Sequence, residues 1–182
     1  MIQDREAYLS DGNDPVCVTD FFLLEASSRK DLGSFTRTQL YYLQADLFGA
    51  GIDTSKNTVL WVLLFLASDL FRELQENIQL QIDDECGEDT PSLASSLPLL
   101  RATILEVTRL RPVTPLGVPH GTLKTTIFGG WSMPAGTMVL PLHWAMNRDP
   151  DLWEHPEEFQ PHRFLDKNGD LVENRNLYPF QV

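Results

Sequence analysis

Cysteine is scarce in this chain, with Cys17 and Cys86 the two cysteines among 182 residues. Two cysteines make no disulfide framework, and neither has the CxxC or Cys/His spacing of a zinc site. Basic residues are also few: 14 Lys and Arg against 26 Asp and Glu, a formal net charge of −12. That balance offers no basic face to neutralise phosphates, so nucleic acid and anionic membrane are excluded as general partners. Long hydrophobic runs are missing. The longest, Val59 to Ala67, falls well short of the ~20 residues that span a bilayer. The N-terminus, Met1-Ile2-Gln3-Asp4-Arg5-Glu6, is polar from the outset and shows no signal peptide or membrane anchor. These absences together predict a soluble chain, cytoplasmic if expressed alone.

What is present suits a globular domain, with 42% hydrophobic and 22% charged residues. Residues 1 to 19 read as an irregular segment with Asp-Gly and Asp-Pro turn signals. Asp20 to Ser28 is a short amphipathic helix. Thr36 with Gln39 makes a capping-box start for a long helix over 36–67. Asp69 can cap a second helix to about Gln81, followed by a loop from Cys86-Gly87 to Pro91. Pro98 suits the first turn of a third helix over 97–110, which Pro112 and Pro115 forbid from continuing. Short β-type stretches, Lys124 to Phe128 and Thr137 to Leu140, then flank Gly129-Gly130 and Pro134-Ala135-Gly136, giving a small sheet within 116–141. From 149 to 182 the chain is an irregular meander rich in proline, acid and aromatic residues. The fold class predicted is mainly α with a small β-sheet.

One run stands out inside the long helix: Ala50-Gly51-Ile52-Asp53-Thr54-Ser55. Gly49 and Gly51 each cost ~1 kcal/mol against alanine in a helix interior, and such a cost usually has a packing or functional reason. The missing side chains leave a dent where a flat ligand can approach the backbone, with an acid and a hydroxyl one turn on. The plainer readings are a loop between two helices, capped by Asp53 or Thr54, or a Thr54 hydroxyl bonded back to Ala50 that bends one continuous helix.

Two further signals lie downstream. Glu106 and Arg109, three apart, are neighbours on one helical face; such a pair is either an ordinary surface ion pair or part of something larger. Arg163 joins them if the meander folds back, since a guanidinium can hold a carboxylate through two parallel hydrogen bonds.

In combination these segments resemble the haem-thiolate monooxygenases of the cytochrome P-450 superfamily. The Ala-Gly-x-Asp-Thr helix lies 52 residues before Glu106, and Arg163 lies 54 residues after Arg109. Pro119-His120 precedes the sheet, and Phe159-Gln160-Pro161-His162-Arg163-Phe164-Leu165 fits the Phe-x-Pro-x-Arg-Phe-Leu of the microsomal drug- and steroid-hydroxylating branch. The resemblance runs from about Asp20 to the last residue. It implies a partial fold of that family, over 20–182: a long kinked distal helix, two following helices, a small sheet and a meander.

The resemblance also implies roles. Ala50 and Gly51 would line the groove where dioxygen and substrate meet. Asp53 and Thr54 would be the acid–alcohol pair that delivers protons in a dry pocket as the O–O bond breaks. Val113, Leu116, Gly117 and Val118 would form part of the substrate wall. His120 would donate to a haem propionate; outside this context it reads as a turn histidine. Glu106, Arg109 and Arg163 would be a structural triad. Trp131 and Trp144 read as core. The cofactor would be haem and the substrate a small lipophilic compound. NADPH-derived electrons would arrive through a reductase, with the full-length family at the endoplasmic reticulum membrane.

The family carries His-Pro-Glu or Asn-Pro-Glu where this chain has Ala67-Ser68-Asp69, and often Glu where His162 stands. Its Phe-x-x-Gly-x-Arg-x-Cys segment, if Phe180 is the opening residue, would place the thiolate ligand five residues beyond Val182. Cys17 and Cys86 lie too far from that position to substitute, so no metal ligand is predicted in the chain. The expectation is a chain inactive alone, as a piece of a monooxygenase; the alternative is a non-catalytic truncated isoform, gene remnant or incomplete gene model.

Overall fold

A computed structural model describes residues 2–31, 33–86, 97–172 and 174–177. The chain divides into two compact units, Met1–Ser55 and Lys56–Val182.

In the first unit, helices α1 (Ile2–Ser10) and α2 (Val18–Ser28) precede the start of α3 (Arg37–Leu66). Asp20 organises them. Its fully buried carboxylate accepts from Arg5 Nε at 2.7 Å and Nη2 at 2.5 Å, and from the backbone N–H groups of Val16 and Cys17 at 2.9 and 3.2 Å. One side chain thus ties α1 to the first turn of α2. Gln44 on α3 donates to Thr19 on α2 at 2.8 Å, and Phe22 packs on Phe35 with ring centroids 4.9 Å apart.

The irregular reading of residues 1 to 19 is corrected by α1. Its residues are good helix formers, and the Asp11-Gly12 signal that suggested a loop is the end of that helix. Gly12 takes φ +82°, and the N–H groups of Asp11 and Gly12 close onto the carbonyls of Ala7 and Leu9. This is the left-handed helix stop that glycine makes cheaply.

Helix α3 starts as predicted: Thr36 Oγ1 accepts from the N–H of Gln39 at 3.1 Å. It is helical through Gly49 and Gly51, which removes the loop alternative. The bond of the second plain reading is present, with Thr54 Oγ1 donating to the Ala50 carbonyl at 2.8 Å. A Cβ at Gly49 or Gly51 would meet nothing within 4 Å, so no described protein group packs closely against either glycine. Leu40 and Val62 are buried, whereas Leu47, Phe48, Leu60, Leu63 and Leu64 are exposed.

The second unit continues with a 3-10 turn, Asp69–Phe71, then α4 (Arg72–Cys86) and α5 (Pro98–Leu110). The cap before this turn is Ser68, whose hydroxyl accepts from the Leu70 N–H, rather than Asp69, which pairs with Arg72. The helix also runs five residues past Gln81. Of the loop expected after it, Cys86 closes α4, and Gly87 to Pro91 lie outside the described residues. Helix α5 carries Pro98 in its first turn. It ends where the Arg111 N–H bonds to the Val107 carbonyl at 2.7 Å, immediately before Pro112.

The small sheet is two separate antiparallel ribbons: β1 (His120–Gly121) with β4 (Met138–Val139), and β2 (Thr126–Phe128) with β3 (Trp131–Met133). The β2–β3 turn is Gly129-Gly130, with φ +57° and +84°, as a two-residue hairpin requires. A short helix α6 (His143–Met146) and a 3-10 turn Pro161–Phe164 complete the order.

The core of this unit is where α5 meets the meander. Ala102, Trp153 and Phe164 are buried together, with Leu105, Leu165, Leu171 and Leu177 packed against them. A second aromatic contact stacks Phe159 on Phe65 of α3 at 4.3 Å and sets it edge-on to Phe71 at 4.9 Å.

Candidate functional site

Glu106, Arg109 and Arg163 meet in one buried cluster, which removes the surface-ion-pair reading of Glu106 and Arg109. Both side chains are fully buried. Glu106 Oε2 accepts from Arg109 Nε at 2.8 Å, and Oε1 accepts from Arg109 Nη2 at 2.8 Å. The same Oε1 takes the Arg163 Nε at 3.1 Å and the backbone N–H of Gln160 at 2.8 Å.

Arg109 uses all five of its N–H groups. Beyond the two on Glu106, Nη1 donates to the carbonyls of Asn147 and Pro156 at 2.7 and 2.6 Å, and Nη2 to that of Glu158 at 3.0 Å. Arg163 donates to the carbonyls of Glu154 and His155 at 3.0 and 3.4 Å. Both guanidiniums lie near the Trp153 ring, 5.1 and 5.9 Å from its centre. A buried charge pair is costly unless its remaining donors are satisfied. Here they are, and among the described residues no buried side-chain nitrogen or oxygen lacks a partner. All five Arg109 N–H groups are thus engaged, and the Glu106 carboxylate accepts four hydrogen bonds.

Arg148, unremarked in the sequence, extends this lock. It donates to the Leu110 carbonyl at the end of α5, to the Trp144 carbonyl at 3.3 Å, and to Glu157 at 3.2 Å. A cation on the last carbonyl of a helix satisfies an orphan acceptor and suits the helix dipole.

The 112–118 segment is held by its neighbours. Buried His143 places Nδ1 3.1 Å from the Thr114 carbonyl, the Trp144 N–H bonds to the Pro115 carbonyl at 3.0 Å, and the Gly117 N–H to that of Pro141 at 2.7 Å. Gly117 is buried and Val113 half-buried, while Leu116 and Val118 are exposed. His120 is an exposed residue of β1, paired across the ribbon with Val139.

In the first unit, Ala50, Gly51, Asp53 and Thr54 all lie on exposed surface of α3. The residues around them are bulky: Leu47, Phe48 and Ile52 are exposed as well. Ala50 and Gly51 therefore make a low stretch on an otherwise filled apolar helix, with Asp53 and Thr54 following within a turn.

The expectation that Trp131 and Trp144 are core residues is corrected, since both are exposed. The buried tryptophan is Trp153, whose Nε1 donates to the Met146 carbonyl at 3.2 Å. Asn147, Pro156, Glu158 and Gln160 join the triad through main-chain atoms, which carry no side-chain signature in a sequence. Among the described residues, no group of three or more His, Cys, Asp or Glu could hold a metal ion. Cys17 sits at the N-cap of α2, and Cys86 is the last residue of α4.

The family model described as Cytochrome P450 matches residues 1–181, beginning ahead of Asp20, where the sequence resemblance starts. Cytochrome P450 2U1 of Rattus norvegicus is 40% identical over 178 residues, covering 94% of this chain and 33% of that protein. Steroid 17-alpha-hydroxylase/17,20 lyase of Squalus acanthias is 39% identical over 131 residues, covering 70% of this chain and 25% of that protein. A solved zebrafish cytochrome P450 with abiraterone is 33% identical with a TM-score of 0.76, covering 98% of this chain and 45% of that one. The chain thus spans about a third or less of the length of these curated relatives. With a family model matched from end to end and the mainly helical fold in place, the chain belongs to the cytochrome P450 family.

Proposed function

We propose that the protein these residues belong to is a haem-dependent monooxygenase. It inserts one oxygen atom from O2 into a small lipophilic substrate, with electrons from NADPH passed on by a reductase. The observation that carries the reading is the 50–54 turn of α3. It is an exposed, side-chain-poor stretch of a bulky apolar helix, and it ends on a carboxylate and a hydroxyl. The name of the Squalus acanthias relative points to a steroid as one form of the substrate.

Haem is the cofactor this family implies, and it supplies the binding and activation of dioxygen. In the first unit, Ala50 and Gly51 leave a stretch of the α3 backbone without bulk, which suits the approach of a flat, apolar group. In the second unit, Leu116 and Val118 expose apolar side chains of the kind that line a lipophilic substrate. His120, exposed on β1, would be the donor to a propionate. No axial ligand is assigned to any of the residues described.

In this reading Thr54 and Asp53 move protons. The Thr54 hydroxyl, which donates to the Ala50 carbonyl, would offer a proton at Oγ1 toward the groove, and the Asp53 carboxyl would restore it from solvent. A positioned acid–alcohol relay of this type contributes about 100-fold or more to rate. Glu106, Arg109 and Arg163 keep the framework rigid and take no part in the proton path.

The test is made on the protein as its transcript encodes it, supplied with haem and a reductase. The expected results are a thiolate-type Soret band in the ferrous–CO difference spectrum and NADPH-dependent oxidation of a lipophilic substrate. Thr54→Ala and Asp53→Asn should keep the band and lose product while NADPH is still consumed. A protein giving neither band nor product sinks the reading; a protein whose product formation ignores both substitutions sinks the proton relay.

A further inference from the structure

His143 has no part in the chemistry proposed above, yet it is buried at the first position of α6. A buried imidazole is costly unless it hydrogen-bonds. Its Nδ1 lies 3.1 Å from the Thr114 carbonyl, 29 residues back in the chain. A carbonyl oxygen only accepts, so Nδ1 is the nitrogen that carries the hydrogen in this bond.

The segment that accepts it, residues 112–118, forms neither helix nor strand. Pro112 and Pro115 have no N–H to donate, so the carbonyls of the segment matter more to its path. Three bonds tie it to residues 141–144: His143 to the Thr114 carbonyl, the Trp144 N–H to that of Pro115, and the Gly117 N–H to that of Pro141. Two of these run between main chains. The third depends on which side chain stands at 143.

Helix α6 is a firm base for that side chain. The carbonyls of Trp144, Met146 and Asn147 accept from Arg148 at 3.3 Å, Trp153 at 3.2 Å and Arg109 at 2.7 Å, and all three donors are buried. His143 therefore reaches from a fixed helix onto an irregular segment that carries half-buried Val113 and exposed Leu116 and Val118.

We propose that His143 is a positioning residue: its Nδ1–H fixes the path of residues 112–118, and with it the placement of the apolar side chains that meet a substrate. It acts through the segment and not on the reacting atoms. The effect on oxidation rests on the reading of that segment as a substrate wall, whereas the hold on the segment does not. A displacement of about 1 Å away from the chemistry can lower a rate about a hundredfold. One bond behind the wall can thus govern which carbon of a substrate is oxidised.

The experiment compares wild type, His143→Leu and His143→Asn in the protein as its transcript encodes it, loaded with haem. Leucine fills the site without a donor, whereas asparagine places its amide N–H close to where Nδ1 stood. Amide hydrogen exchange at Gly117 and Val118 should quicken about fivefold or more in His143→Leu, the factor that one net hydrogen bond is worth. It should return toward wild type in His143→Asn. His162→Leu, at an exposed histidine of the meander, should leave it unchanged. With a reductase and a panel of rigid steroids such as testosterone, each with several oxidisable carbons, the ratio of hydroxylated products should also shift about fivefold or more in His143→Leu. The Soret band should stay as it is, and His143→Asn should restore the ratio. Unchanged exchange at 117–118 in His143→Leu overturns the proposal whether or not the protein is an oxygenase. Quickened exchange with an unchanged product ratio overturns the positioning role and leaves His143 a structural one. A wild-type protein that gives no product sinks the monooxygenase reading instead, and the exchange result alone then decides whether His143 holds 112–118.

Discussion

Glu106 and Arg163 stand 57 residues apart in the chain and 3.1 Å apart in space. That contact carries the meander back onto α5, and it does so through an oxygen already holding Arg109 and the Gln160 backbone. One carboxylate therefore joins α5 to two separate points of the meander, Gln160 and Arg163.

Glu106→Ala leaves two guanidiniums without their carboxylate, one fully buried and one nearly so. Breaking a buried pair from one side costs about 3–5 kcal/mol. Denaturant unfolding should show a midpoint shift of that size or loss of a cooperative transition. An unchanged midpoint would mean the cluster adds nothing to stability.

Arg109→Lys keeps the charge and loses the fork. Lysine has three donors where Arg109 uses five, so two or more of the Asn147, Pro156, Glu158 and Glu106 acceptors go unpaired. The expected cost is about 1–3 kcal/mol per buried acceptor left open. Hydrogen exchange should speed up over 147–160 first. Protection equal to wild type there would contradict the five-donor arrangement.

Thr54→Val separates structure from chemistry. The hydroxyl bonds to the Ala50 carbonyl on exposed surface, and such a substitution should alter stability by no more than about 0.5 kcal/mol. Product formation in the loaded enzyme should nevertheless fall at constant substrate binding. A fall in thermal midpoint large enough to explain the lost activity would return Thr54 to a purely structural role.

Asp20 gives the first unit an acid-sensitive limb. The Arg5 guanidinium holds its carboxyl well below the usual carboxylate range; burial opposes this, and the Val16 N–H and the Cys17 thiol add to it. With the folded value depressed, the unfolded chain binds the proton first, near pH ~3.9. The contribution is complete above that pH and drains away as pH falls toward the folded value. Hydrogen exchange across α1 and α2 should therefore rise below about pH 4 in the wild type, whereas Asp20→Asn should be weaker at neutral pH and lose this dependence. Identical acid profiles for the two proteins would rule Asp20 out as the cause.

Much of the framework was legible because local chemistry writes it. Thr36 caps α3, Pro98 opens α5, and Gly129-Gly130 turns the β2–β3 hairpin, each through an interaction made within a few residues. Helix α1 was missed because its Asp-Gly ending doubles as a loop signal, and only the buried reach of Arg5 to Asp20 shows why the helix is kept. Trp131 and Trp144 were placed inside because tryptophan usually is; Trp153 took the buried position under the two guanidiniums instead. The sheet was read as one because β-type stretches give no pairing partners, and the ladders divided it in two.

The sequence by itself determined the family, through side chains at set spacings: Asp53 and Thr54 on one helix, Glu106 and Arg109 on another, Arg163 in the meander. Their order and separation identify the chain without coordinates. Only the tertiary structure decided that Glu106 and Arg109 lie buried rather than on the surface. It also decided which carbonyls complete Arg109, and that His143 reaches the Thr114 carbonyl. The physical reason is that backbone acceptors are identical at every residue. Which of them a buried charge will find depends on where the folded chain brings them.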